Sequence, residues 1–153
     1  MENQSFPTTI EAWNQETITT LEETNHPETT YLEYKAHLEY PDGESTPKSE
    51  WRADLEREFT AFGNASGGFI VFGMTDNQVA QGIEPPAHEV SQSVTQLIHE
   101  TTPVVTTDVK SIPAPHGETN RIMVIVNVHE ATRKPVATRD AAYSVGSTTT
   151  KSR

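Results

Sequence analysis

The run Ala61-Phe-Gly-Asn-Ala-Ser-Gly-Gly-Phe-Ile-Val-Phe-Gly-Met-Thr-Asp76 decides the fold. It predicts a helix end, a glycine turn, a buried strand and an acidic residue delivered past the strand's far end. Upstream, Ser49 is a good helix cap, and Trp51, Leu55, Phe59 and Phe62 fall at inward-facing helical positions. Gly63-Asn64 sits where a helix closes on a left-handed residue. Phe69-Ile-Val-Phe72 is too apolar for anything but a strand covered on both faces, and Thr75-Asp76-Asn77 reads as a turn. Two readings of Gly67-Gly68 stand: a phosphate cradle of backbone amides, or a tight turn needing permissive φ. The turn is preferred. A nucleotide P-loop is excluded, because no G-x-x-x-x-G-K-[ST] occurs and no lysine lies near these glycines.

Outward from this run the chain alternates helix and strand. Residues 8–22 read as an amphipathic helix with Thr8 and Glu11 as a capping box and Ile10, Trp13, Ile18 and Leu21 on one stripe. Pro27 breaks it. Tyr31 to Tyr40 alternates strictly, with Leu32, Tyr34, Ala36, Leu38 and Tyr40 on one side and Glu33, Lys35, His37 and Glu39 on the other, so it reads as a half-buried strand. Residues 41–48 form a loop. A third helix opens at Pro85 or Pro86, buries Val90, Val94, Leu97 and Ile98, and ends at Pro103. Residues 104–110 and 121–129 predict a hairpin, and 141–145 a short last strand. The expected architecture is a single compact α+β domain, a mixed, mostly antiparallel sheet with flanking helices. Residues 1–24 form an N-terminal helix, 25–148 the domain and 149–153 a polar tail.

The chain has 153 residues and a formal charge of -11, with 22 acidic side chains against 11 Lys and Arg. That length supports one domain with a core of its own. The absence of cysteine removes disulfides, Cys-zinc sites and thiol catalysis. No apolar run approaches the roughly 18 residues of a membrane span, and Met1-Glu2-Asn3-Gln4 does not begin a secretory signal. A soluble cytoplasmic protein is expected. Such a charge repels nucleic acid in dilute salt. However, 22 threonines against five lysines, with acids spread throughout, match the bias of salt-loving organisms. In molar salt the Debye length falls to about 3 Å, so net charge then reports solubility more than partner choice. Six basic residues, Arg121, Arg133, Lys134, Arg139, Lys151 and Arg153, lie in the last 33 positions and make a candidate basic rim.

The quoted run, preceded by Glu28-Thr-Thr-Tyr-Leu-Glu33-Tyr-Lys35, resembles the Schlafen AlbA-like domain. Three further pieces agree: Val79-Ala-Gln-Gly82-Ile83, a helix ending before Pro103, and Tyr143-Ser-Val-Gly146-Ser147-Thr148. The resemblance spans residues 28–148. It implies nucleic-acid binding, and for Schlafen members a metal-dependent endoribonuclease acting on structured RNA such as transfer RNA. It implies three carboxylate ligands, which fall on Glu28, Glu33 and Asp76, with Mg²⁺ or Mn²⁺ as cofactor. Hard oxygen ligands suit such a cation, which activates water and stabilises a phosphorane-like transition state. Lys35, on the same strand face as Glu33, is the candidate phosphate contact; the alternative is a surface ion pair. Arg133, Lys134, Arg139 and Lys151 complete the candidate nucleic-acid surface. One departure is Ser144, where family members commonly carry Arg. No two histidines show the spacing of a zinc pair.

Geometry sets a condition on the acids. Five residues of straight strand would hold Glu28 and Glu33 about 16 Å apart on opposite faces. Two ligands of one Mg²⁺, each about 2.1 Å from it, need oxygens within roughly 4 Å of one another. The chain must therefore bend at 28–30, or Glu28 is a solvated surface acid. Two further readings remain beside the nuclease: a non-catalytic DNA- or RNA-binding or regulatory module, and a dimerisation module. Schlafen enzymes pair two such lobes in one chain, so a homodimer is expected.

Overall fold

A computed structural model describes residues 6–41, 43, 45–86, 89–101, 105–116 and 120–131. Among them, a four-stranded mixed sheet is covered on both faces. The strands are β1 (Leu32–Lys35), β2 (Gly68–Phe72), β3 (Thr107–Pro113) and β4 (Ile122–Val128), in the order β1-β2-β4-β3. The β1–β2 pair is parallel, whereas β2–β4 and β3–β4 are antiparallel. The parallel pair is bridged by α2 (Lys48–Asn64), and α3 (Val90–Thr101) precedes the β3–β4 hairpin. The domain is α+β, as the sequence predicts. No helix among the described residues is long and apolar enough to cross a membrane.

β2 is buried along its whole length because it is an inner strand with both faces covered. One face packs Ile70, Phe72, Val124, Val126 and Val128 against Leu55, Phe59 and Phe62 of α2 and Val94 of α3. The other packs Leu32, Tyr34, Phe69, Val71, Met123 and Ile125 under the N-terminal segment, through Phe6, Ile10, Trp13, Ile18 and Leu21.

That N-terminal cover is two elements rather than one helix. A 3-10 turn, Ile10–Ala12, is followed by α1, Gln15–Glu23. The expected Thr8/Glu11 box loses to Asn14, whose side chain accepts the Thr17 N–H at 3.0 Å while Thr17 Oγ1 accepts the Asn14 N–H at 3.1 Å. The inward residues are those expected.

Other boundaries also shift. β1 stops at Lys35 instead of continuing to Tyr40, because the Lys35 carbonyl receives both the Gly73 and Met74 N–H groups as β2 turns away. α2 starts at Lys48 without a side-chain cap, so Ser49 lies inside it. α3 starts at Val90, beyond the two prolines. The left-handed residue after α2 is Gly67 (φ 84°). A Cβ there would sit 2.6 Å from the Val128 carbonyl oxygen, and one on Gly68 would sit 2.6 Å from the Phe62 ring. Steric demand accounts for both glycines, which is the tight-turn reading. β3 begins at Thr107 rather than 104 and reaches Pro113, tolerated on an edge strand. The expected strand at 141–145 and the stop at Pro103 lie outside the described residues.

Trp13 is fully buried between Phe6 and Phe69, with ring centroids 5.8 and 5.0 Å away. Trp13→Ala should therefore lower unfolding free energy by about 3–5 kcal/mol in urea titrations at constant salt.

Candidate active site

The site begins with a reversal of the chain. After α1, Asn25 takes a left-handed conformation (φ 52°). Thr29 and Leu32 then face each other across a tight turn, with Thr29 N–H donating to the Leu32 carbonyl at 3.0 Å. Thr29 Oγ1 accepts the Tyr31 N–H at 3.1 Å. Among the described residues β1 is an edge strand, so the outward backbone of Tyr34 has no neighbouring strand there. Glu28 folds back into that place, and its Oε2 accepts the Tyr34 N–H at 3.0 Å. A carboxylate thus caps the exposed edge, and the bend that the five-residue spacing demands is present.

This reversal brings the Glu28 carboxylate within hydrogen-bonding reach of Glu33. Glu33 projects from β1 toward α2, where Glu58 supplies a further carboxylate. Burial, the hydrogen bond with Glu28 and the charges of Glu58 and Glu28 push the Glu33 carboxyl up to about 8, with Lys35 opposing. Near neutral pH Glu33 therefore keeps its proton and shares it with Glu28. Lys35 Nζ lies 4.0 Å from Glu33 and 3.8 Å from Glu58, too long for strong hydrogen bonds. Tyr34 is raised to about 12 by burial and by Glu28. It stays a donor, giving its hydroxyl proton to the His26 carbonyl at 2.8 Å.

Glu58 has no place in the sequence reading. Its one trace there is position: it adjoins Phe59 on α2 at the margin of the apolar stripe, where a carboxylate faces a partly covered cleft.

Asp76 stands on a separate turn and is exposed. The turn closes through Gln78 N–H to the Thr75 carbonyl (2.8 Å) and Val79 N–H to Thr75 Oγ1 (3.1 Å). It is tethered to the Glu28 segment by Gln78 Nε2, which donates to the His26 carbonyl at 2.8 Å. The structure thus joins Glu28, Glu33 and Lys35 with Glu58, and holds the Asp76 turn beside them without bringing its carboxylate into the pair. Among the described residues, no three His, Cys, Asp or Glu side chains are arranged to hold a metal ion. Mg²⁺, however, is commonly held by one or two carboxylates with waters and substrate phosphates. A partly buried Glu33 that retains a proton beside Glu28 fits that chemistry.

Beyond Lys35, the loops that leave the carboxyl ends of the parallel pair enclose an open cavity of about 420 Å³, with His37, Tyr40, Glu84 and Arg121 among its walls. Crevices at such strand ends are the usual ligand sites of open α/β sheets. Arg121 is committed to the Gln81 and Gly82 carbonyls, and Lys110 to those of Glu11 and Trp13. Arg133, Lys134, Arg139, Ser144 and Lys151 lie outside the described residues.

The family model described as Schlafen, AlbA_2 matches residues 28–151. No curated protein matches the chain at a significant level.

The shared proton has a stability consequence. Glu33 binds its proton more tightly folded (about 8) than unfolded (4.5), so its contribution is complete below pH 4.5 and is lost as pH rises through 8. In chelator, unfolding free energy should fall over that window, by at most about 1.4 kcal/mol per pH unit for one proton and less for a site open to solvent. Glu33→Gln should flatten the slope in urea titrations across that range.

Proposed function

Because the chain belongs to the Schlafen AlbA_2 family, whose domains are linked to nucleic-acid binding, we propose that it is a metal-dependent endoribonuclease acting on structured RNA such as transfer RNA. Glu28 and Glu33 are the residues that would hold Mg²⁺ or Mn²⁺, with Asp76 contributing from its turn. The ion supplies an activated water and charge neutralisation at the phosphorus. The protein's part is orientation and proton management. Tyr34 N–H fixes the Glu28 carboxylate, Glu33 would give up its proton where a cation is held, and Lys35, whose two carboxylate contacts are long, would be available to a substrate phosphate. Arg133, Lys134, Arg139 and Lys151 track the RNA backbone, and DNA is the alternative polymer. The observation that carries this reading is the approach of Glu28 to a partly buried Glu33, where burial and the neighbouring carboxylates raise the cost of charging Glu33.

A second reading, binding without cleavage, draws on Asp76, which is exposed and outside the pair. The two are separated by incubating the protein with transfer RNA and Mn²⁺ in molar salt. Cleavage should appear, and Glu33→Ala should reduce it at least about a hundredfold, since a ligand matters no less than the outer-shell partners whose loss costs 10–100-fold. Cleavage that survives the substitution contradicts the assignment. RNA binding without cleavage under any divalent metal favours the second reading.

Two copies of this domain would build a paired groove like that of Schlafen enzymes, and the proposed assembly is a homodimer. Light scattering at micromolar concentration in molar salt should return twice the 16.9 kDa chain mass; a monomer contradicts this.

A further inference from the structure

The geometry points to Gln78 as the positioning residue that sets the Asp76 turn against the glutamate pair. The inference rests on the metal site proposed above. Gln78 takes a left-handed backbone conformation (φ 61°), which L side chains seldom adopt and which glycine or asparagine accepts more readily. A glutamine at such a position is informative when its side chain has work that those residues cannot do. Here its amide spans from the Asp76 turn to the His26 carbonyl at 2.8 Å.

That carbonyl is a node. It accepts Gln78 Nε2 from one side and the Tyr34 hydroxyl from the other, each at 2.8 Å. Tyr34 in turn holds Glu28 through its own N–H. Gln78 lies two residues after Asp76, and His26 two residues before Glu28. One polar junction therefore links both acid-bearing segments, and Tyr34 extends it to the strand that carries Glu33. The Asp76 turn has its own internal hydrogen bonds, Gln78 N–H to Thr75 and Val79 N–H to Thr75 Oγ1. Those shape the turn but do not locate it. The ends of the segment are anchored by Met74 N–H on the Lys35 carbonyl and Ala80 N–H on Glu22 Oε2, and the Gln78 amide ties its middle to residues 26–28. Asp76 is exposed at the tip of this tethered turn.

The test is Mn²⁺ affinity of the full chain in molar salt, read from loss of the free-ion electron paramagnetic resonance signal. Gln78→Asn keeps a residue that tolerates left-handed backbone, but its amide is one methylene too short to reach His26. It should weaken Mn²⁺ binding about tenfold, the lower end of outer-shell effects. In an Asp76→Asn background the same change should do nothing further, because Gln78 acts through Asp76. Circular dichroism checks that each variant is folded, and Gln78→Gly replaces Gln78→Asn if the latter does not fold. Unchanged affinity in Gln78→Asn, or an equal loss in both backgrounds, overturns the inference while leaving the metal site standing if Glu33→Gln abolishes binding. Failure of the unsubstituted protein to bind Mn²⁺ overturns both together.

Discussion

The arrangement of the site depends on an edge strand that ends its exposed side with a carboxylate instead of another strand. The outward N–H of Tyr34 must find an acceptor or stay in water, and Glu28 supplies one. To reach it the chain reverses at Thr29–Leu32, and that reversal carries Glu28 to Glu33. The backbone requirement of an edge strand and the side-chain chemistry of the site are thus met by the same bond. If Glu28 were released, Tyr34 N–H would lose its acceptor and Glu33 its hydrogen-bond partner.

The consequence is electrostatic frustration. Glu33 is partly buried with Glu28 and Glu58 beside it, Lys35 approaches Glu33 and Glu58 only at 4.0 and 3.8 Å, and burial with like charge is met by a retained proton. A group with perturbed affinity for a proton at a cleft is a common mark of a functional position. Here the perturbation has a clear physical origin in burial and like charge. The net charge of -11 adds to it only weakly in concentrated salt, where distant charges are screened.

Much of this was legible in the chain. The glycine pair and the apolar run behind it located the inner strand because both demands are local: a left-handed residue at Gly67 and a β2 covered on both faces. The need for a bend between Glu28 and Glu33 followed from strand geometry, although Thr29–Leu32 holds neither glycine nor proline to mark the turn. The split of the N-terminal cover was not legible, since Thr8/Glu11 and Asn14/Thr17 are rival caps differing by about 1 kcal/mol or less. Nor was the end of β1. Alternation runs on to Tyr40, but the ladder stops where β2 turns at Gly73, a non-local fact. Glu58 and Gln78 escaped for the same reason: the crossover through α2 and the turn after β2 decide what they touch.

Glu33 holds a proton because burial and the neighbouring Glu28 and Glu58 carboxylates disfavour its charge, and carboxyl-carbon NMR of glutamate-labelled protein in chelator measures this directly. With the Glu33 resonance assigned by its loss in Glu33→Gln, the account predicts a titration midpoint at about 8. A midpoint near the ordinary 4.5 would mean that the carboxylates do not converge, and would contradict it.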